Sequence, residues 1–375
     1  MNNLIYLPLA WLRRYDPYLQ SQEYQHNHWF NMHSVTLWPE HLSSRVHKLN
    51  TPWDLAPSVC PMPKLLHNSE LRFDVVMDSI THRFCDYIQR TGKTPYMSWS
   101  GGIDSTSILV SLLKVGNSDF LKKLVVLYND RSIKENSFFY HRFLDGKVST
   151  LNFDQSPLHV TADNYDQIVI LDGEVGNQVM GSPHINSLVR QGRRDILDSD
   201  WTTIQDYSEI IYGSTDFHIQ MIKESVESAP VEILTVFDFL WWLNFNFKVD
   251  DVLLRKMLTH VYDLTPDQSR EFWESGIFRH YAQPEMQQWS LVSKNQRHQS
   301  IEIMLKYIPK KYIYDFDHND IWYAHKTEQA SMASTYEKCT FGDSGIIALD
   351  SDWNKYSLTD QETRRKLGRI LQRIS

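Results

Sequence analysis

Six consecutive residues, Ser100-Gly-Gly-Ile-Asp-Ser105, carry the most specific chemistry in this chain. Gly101 and Gly102 let the backbone turn tightly and approach a ligand with no Cβ in the way, while Ser100 and Ser105 add hydroxyl donors. Such a turn at the start of a helix gathers backbone N–H groups at the positive end of the helix dipole, a socket for phosphate oxygens. Asp104 has the same sign as phosphate and should not touch it directly. A carboxylate at this place fits an intervening Mg²⁺, which takes oxygen ligands from both sides. No lysine follows the glycines, so this is not the G-x-x-x-x-G-K-[ST] loop.

The socket needs a strand before it and a helix after it, and the sequence supplies both. Thr94-Pro-Tyr-Met-Ser-Trp99 reads as a strand and Thr106-Ser-Ile-Leu-Val-Ser-Leu-Leu113 as a helix. Upstream, Leu71, Val75, Ile80, Phe84 and Ile88 recur at helical spacing between Glu70 and Gln89. Downstream, Lys123–Tyr128 and Lys147–Asn152 read as strands with a helix over Lys134–Phe143 between them. A fourth strand, Gln167-Ile-Val-Ile-Leu171, runs into Asp172-Gly-Glu-Val-Gly-Asn-Gln-Val-Met-Gly181. This alternation predicts an α/β fold with a doubly wound parallel sheet and ligands at the C-terminal strand ends. Asn129 and Asp130 fall at another such end, placed either to contact adenine or ribose or simply to make a turn.

Around this core the chain divides into three. Residues 1–68 form a small N-terminal region and 69–186 the nucleotide-binding α/β core. Residues 187–375 are a mostly helical, substrate-shaping part, with apolar residues recurring through 204–221, 231–247, 252–262 and 301–307. The Trp241-Trp242 pair in that part reads as core. Asp315, Asp317 and Asn319 have EF-hand spacing, but Asp320 replaces the required glycine and Lys326 the bidentate glutamate.

The hexapeptide resembles the PP-loop of the ATP pyrophosphatase superfamily, whose members cleave ATP between the α and β phosphates and attach AMP to a substrate oxygen. The segment from Asp172 to Gly181 is similar to the S-G-E-G-x-D-E-x-x-G-G segment of asparagine synthetases. Gly173, Glu174 and Gly181 match, Gly176 is displaced by one position, and Asn177 stands where the family has Asp. In that family the glutamate moves protons near the adenylated carboxylate, and the Asp helps hold Mg²⁺ and pyrophosphate. The resemblance therefore makes Glu174 a proton-transfer residue and Asn177 an uncharged metal ligand. Ile321-Trp-Tyr-Ala-His-Lys-Thr-Glu-Gln329 resembles the stretch bearing the essential lysine of asparagine and β-lactam synthetases, which puts Lys326 over the phosphates.

Taken over residues from about 69 to 341, the resemblance implies an adenine nucleotide alpha hydrolase-like fold. It implies ATP and Mg²⁺ as cofactors, and an AMP-forming ligase that adenylates a small-molecule carboxylate and transfers it to ammonia or an amine. The family's glutaminase domain starts with a nucleophilic cysteine, and Met1 and Asn2 offer none. Ammonia is then free, or a separate glutaminase or carrier protein is a partner. Two other readings stand beside this one: adenylation of a nucleic-acid base for modification, and a non-catalytic nucleotide-binding module, which Asn177 favours.

Composition narrows the surroundings. The chain has 375 residues, 42% of them hydrophobic and 22% charged, enough for two packed units. Cys60, Cys85 and Cys339 show neither disulfide nor metal spacing, which predicts a reducing, cytoplasmic setting. Met1–Trp11 lacks the basic start of a signal peptide, and the aromatic run Phe237–Phe247 is too short to span a membrane. A net charge of −8 argues against nucleic acid as a partner. The one dense basic stripe, Arg364–Arg373, carries Leu367, Ile370 and Leu371 at helical spacing and reads as a terminal helix with one packed face.

Overall fold

A computed structural model of the chain describes residues 4–6, 43–46, 57–66, 70–156, 158–181, 183–203, 216–258, 260–261, 263–302, 305–328, 347–357, 360 and 362. The strands are β1 (Leu4–Tyr6), β2 (Thr94–Ser98), β3 (Val125–Tyr128), β4 (Ser149–Asn152), β5 (Ile168–Asp172), β6 (Ile277–Arg279), β7 (Ile347–Asp350) and β8 (Lys355–Ser357). The chain divides into two compact units. One is made of Leu65–Met180 and His260–Lys338, the other of Met1–Lys64, Gly181–Thr259 and Cys339–Ser375.

The first unit is α/β. Its sheet has five parallel strands in the order β4-β3-β2-β5-β6. Continuous apolar runs are what strands covered on both faces require, and Ile168–Asp172 is buried at every position. The chain winds outward from β2 through β3 to β4, then returns to lay β5 on the other side of β2. Winding thus reverses between β2 and β5, and in open α/β sheets the ligand crevice lies beyond the carboxyl ends of such a pair.

Helices α1 (Phe73–Thr91), α2 (Ile103–Val115), α3 (Asp130–Glu135), α4 (Gly176–Met180), α5 (Pro284–Val292), α6 (Tyr307–Asp317) and α7 (Asp320–Glu328) belong to this unit. α1 turns Phe73, Val76, Met77, Ile80, Phe84 and Ile88 inward and stops at Gly92. Each such side chain contributes roughly 1.5–3 kcal/mol relative to exposure. α2 is buried at every residue from Ser105 to Leu112, with α1 and α6 packed against it. Its short Ser105, Thr106, Ser107 and Ser111 let these neighbours come close, and Ser107 Oγ returns its proton to Ile103 O at 2.8 Å.

The strands expected at 94–99, 123–128, 147–152 and 167–171 all form, within one or two residues. The helix expected over Lys134–Phe143 breaks instead into α3, a short turn and a π-helical stretch over Tyr140–Leu144. A larger difference concerns residues 187–375, read above as one helical part. The structure divides them: β6 joins the parallel sheet as its edge, and α5, α6 and α7 pack in the same unit as the loop. A strand of three residues, Ile277-Phe-Arg279, has no period to read.

The second unit contains an antiparallel sheet in the order β1-β7-β8 and a helix, Val236–Phe247, buried along its whole length. Trp241 and Trp242 are core residues, as expected; Trp241 stacks on Phe245 at 5.0 Å and Trp242 Nε1 donates to Ser225 Oγ at 3.2 Å. Arg45, also buried, donates to Phe245 O at 3.0 Å and Cys60 O at 2.6 Å. Cys339 and the basic stripe Arg364–Arg373 lie outside the described residues. Among the described residues, no helix is long and apolar enough to cross a membrane.

Candidate functional site

The first loop leaves β2 and is tied to both neighbours. Trp99 N–H donates to Leu127 O at 2.9 Å, prolonging the pairing with β3. Trp99 Nε1 donates to Thr106 Oγ1 at 3.0 Å, which straps the strand exit to the first turn of α2. Between them Gly101 adopts φ 76°, and a Cβ there would lie 2.3 Å from the Ser132 carbonyl oxygen and 2.8 Å from Glu135 Cβ. Only glycine fits both the dihedral and the space.

Within the turn the hydroxyls close a small ring. Ser100 N–H donates to Ser105 Oγ at 3.2 Å, the two hydroxyls lie 3.0 Å apart, and Gly102 N–H donates to Ser100 Oγ at 3.3 Å. α2 then starts after Gly102, which is extended (φ −71°, ψ 164°), and no side-chain hydrogen bond caps it. The first N–H groups of a helix have no partners within it, the condition under which a helix N-terminus can take an anion.

The second loop leaves β5, the neighbour of β2. Asp172 Oδ1 accepts from Glu174 N–H at 3.1 Å, and Val175 is held in the left-handed region at φ 70° while almost fully buried. A β-branched residue there costs on the order of 1–3 kcal/mol, which the surrounding packing must offset. Next comes Gly176, where a Cβ would lie 2.5 Å from Asp104 Cγ and 2.7 Å from Asp104 Oδ2. The glycine displaced by one position thus has a local reason: the carboxylate of the first loop sits where its side chain would be. Gly173 backs onto Ser105 in the same way, its Cβ position 2.9 Å from Ser105 N.

Asp104 is the point on which the site converges. Lys306 Nζ, from the residue preceding α6, donates to both carboxylate oxygens at 2.7 and 2.6 Å. The two side chains are 21% and 17% exposed for Lys306 and Asp104, so the pair is only thinly solvated. The backbone carbonyl of Asp104 accepts from the hydroxyl of Tyr281 at 3.1 Å. Burial pushes the Tyr281 phenol far above its ordinary pKa, which keeps that donor proton in place.

Ser100, Gly101, Gly102, Asp104, Ser105, Gly173 and Glu174 are therefore on two contiguous loops at the switch point of the sheet. Asn177 follows the Gly176 contact and is exposed. Asn129 behaves as a helix cap: its Oδ1 accepts from Ser132 N–H and Ser132 Oγ, both at 2.9 Å, in a capping box at the start of α3. Lys326 is on α7, and its side chain lies outside the described residues. Lys306 and Tyr281 were not singled out from sequence. Nothing in Lys306-Tyr-Ile-Pro-Lys-Lys311 says which lysine turns inward, and Tyr281 follows the unreadable three-residue strand.

The donor set suits Mg²⁺ arriving with phosphate. That ion is commonly held by one or two carboxylates together with phosphate oxygens and waters, and Asp104 is the carboxylate that would face it here. Lys306 must first give up one Asp104 oxygen. Among the described residues, no three His, Cys, Asp or Glu side chains group into a metal cage made of protein alone. A cavity of about 660 Å³ also lies in this unit, between α1 and β6, lined by Arg83, Tyr87, Arg90, Glu274 and Arg279 among others. None of its lining residues belongs to either loop, so the loop geometry rather than the cavity marks the site. No protein-family model matches the chain, and no curated protein or solved structure matches it either.

Proposed function

We propose that the chain is an ATP-dependent, AMP- and pyrophosphate-forming amide ligase of the asparagine synthetase type, on an adenine nucleotide alpha hydrolase-like fold. The observation that carries this reading is the meeting of two loops at Asp104: an uncapped helix N-terminus after S-G-G-I-D-S, and the D-G-E loop packed on it through Gly173 and Gly176. Cys60 and Cys85 are in no disulfide, which suits a cytoplasmic setting.

In this reading the N–H groups of the first loop, with Ser100 and Ser105, hold the β and γ phosphates of ATP. Asp104 and Asn177 would hold Mg²⁺, which would supply neutralisation of phosphate charge. A substrate carboxylate oxygen attacks the α phosphorus, the bond to the bridging oxygen breaks, and pyrophosphate leaves. Lys306, drawn from Asp104 toward the phosphates, and Lys326 balance the charge that develops. Ammonia or an amine then attacks the acyl carbon, the acyl–oxygen bond to AMP breaks, and Glu174 takes the proton released from nitrogen.

The test is a panel of carboxylates and amines incubated with ATP and Mg²⁺, scored for AMP against ADP. AMP and pyrophosphate in equal amounts are expected, lost in Asp104→Ala. ADP as the product, or turnover that survives Asp104→Ala, overturns the mechanism. The occupation of both Asp104 oxygens by Lys306 favours one second reading, a nucleotide-binding module without turnover. Tight ATP binding with no AMP from any substrate pair would establish that reading instead.

A further inference from the structure

Lys306 reaches Asp104 from an unusual starting point. It precedes α6 in the left-handed conformation, φ 55° and ψ 41°, and no side chain caps the helix. Nothing local therefore decides where its long side chain goes; the rotation of α6 about its own axis does. One residue of helix corresponds to roughly 100° of rotation, enough to carry an ammonium group off its target. Pro309, in the first turn, fixes one backbone dihedral there and makes the turn follow the rest of the helix.

A second polar contact holds that rotation. Asp78 on α1 accepts from the Tyr312 hydroxyl of α6, from Ser111 Oγ of α2 at 3.0 Å and from Lys114 Nζ of α2 at 2.7 Å. Lys114 Nζ also lies 4.4 Å from the centre of the Tyr312 ring, which meets Phe73 edge-on at 5.9 Å. Burial and then the hydrogen bond to Asp78 push the Tyr312 phenol pKa up, so its proton stays on the donor. Tyr312 is six residues past Lys306 and Ser111 seven past Asp104, rises of roughly 9 and 10.5 Å along their helices. α2 and α6 thus run in the same sense and touch at two polar points about two turns apart.

We infer that Asp78, Tyr312 and Lys114 form a positioning clamp that fixes the rotation of α6 and so aims Lys306 at Asp104 and the phosphate socket. The inference rests on reading the loop as a phosphate site. Apolar side chains would hold three helices together equally well, and an ion pair as solvent-exposed as Lys114–Asp78, 34% and 28% exposed, adds little stability by itself. A single carboxylate bonded to a group from each neighbour is directional, and it specifies one rotation. Tyr312, Asp78 and Lys114 act through Lys306 and do not touch the ligand.

The test is a coupling cycle. Unfolding free energies of Asp104→Asn, Lys306→Met and the double variant give the coupling of the ion pair, measured with and without Tyr312→Phe. The clamp predicts that Tyr312→Phe removes more than half of that coupling, whereas a merely structural role lowers stability and leaves the coupling intact. Pyrophosphate binding with Mg²⁺, followed by calorimetry, is the second readout. Tyr312→Phe should weaken it about tenfold, as expected for the loss of one charge-assisted bond, and add nothing once Lys306→Met is present. An unchanged coupling, or equal weakening with and without Lys306, overturns the clamp. Should Tyr312→Phe fail to fold, Lys114→Gln enters the same cycle and must move the coupling in the same direction. If the unaltered protein binds no pyrophosphate, the phosphate reading falls while the coupling cycle still decides the clamp.

Discussion

Two helices of nearly equal length, α2 with 13 residues and Val236–Phe247 with 12, are buried over most of their surface, yet they begin in opposite ways. Thr235 Oγ1 accepts from Asp238 N–H at 3.2 Å, and Asp238 Oδ2 accepts from Thr235 N–H at 3.2 Å, a reciprocal box that satisfies the end of the second helix. α2 has Gly102 at the same place and no such bond. Every helix must find partners for its first N–H groups, so an end closed by its own side chains belongs to the scaffold. An end left uncapped beside glycines and a lysine-paired carboxylate is where the proposed anion site would lie. Burial does not separate these two helices, and since α1, α5 and α6 also begin without a side-chain cap, it is the glycines and the Lys306–Asp104 pair beside the uncapped end that single out α2.

The largest test of this contrast is acid. His280, in the unit that carries α2, is buried with its Nε2 3.1 Å from Thr81 Oγ1, and burial brings its pKa down to about 3. The folded value is below the ordinary one of about 6.5, so the unfolded chain takes up the proton first. Stability is complete above about pH 6.5 and falls as pH drops toward 3, on the order of 1 kcal/mol per pH unit. Hydrogen exchange should show α2 amides losing protection in acid before those of Val236–Phe247, with a flatter acid limb in His280→Gln. Equal loss in both helices, or an unchanged limb, removes the contrast.

Next in size is a cap placed where none exists. Gly102→Asp meets no forbidden dihedral, and its Cβ would sit 3.3 Å from Ser100 Oγ, a tight but adjustable contact. It should leave thermal stability level or raised, yet weaken ATP binding at least about tenfold by filling the open end with negative charge. Unchanged ATP affinity would mean that the end is not the anion site. The smallest effect belongs to the reciprocal change. Thr235→Ala should cost about 1 kcal/mol of stability in urea unfolding and leave ATP binding untouched.

The parts of this design that repeat along the chain are readable in sequence. Ile168–Asp172 and Val125–Tyr128 declare themselves as covered strands because apolar residues run without interruption, and the strand–glycine–helix junction at Ser100–Ser105 follows from residue types alone. The D-G-E segment could be placed at a strand end, but the reason for a glycine at 176 could not, because it lies in the Asp104 carboxylate seventy-two residues away. Lys306 and Tyr281 stayed hidden for the same cause. Their partners are set by the packing of α6 on α2 and by a three-residue strand, neither of which leaves a periodic trace. Asn129, by contrast, was legible as a ligand or as a turn residue, and the hydrogen bonds to Ser132 make it the cap of α3.

The pairing of Lys306 with Asp104 has a kinetic side. The two charges cancel each other, so Lys306 brings no net positive charge to the proposed phosphate socket of a chain whose formal charge is −8. The partial charge of a helix end acts only over the first turn, and at physiological ionic strength fields fade over about 8 Å. A polyanion approaching the socket therefore travels against a repulsive long-range field and is rewarded only on arrival. Raising the ionic strength should speed its encounter and shorten its stay, the reverse of the usual loss of association rate at a basic, electrostatically steered site.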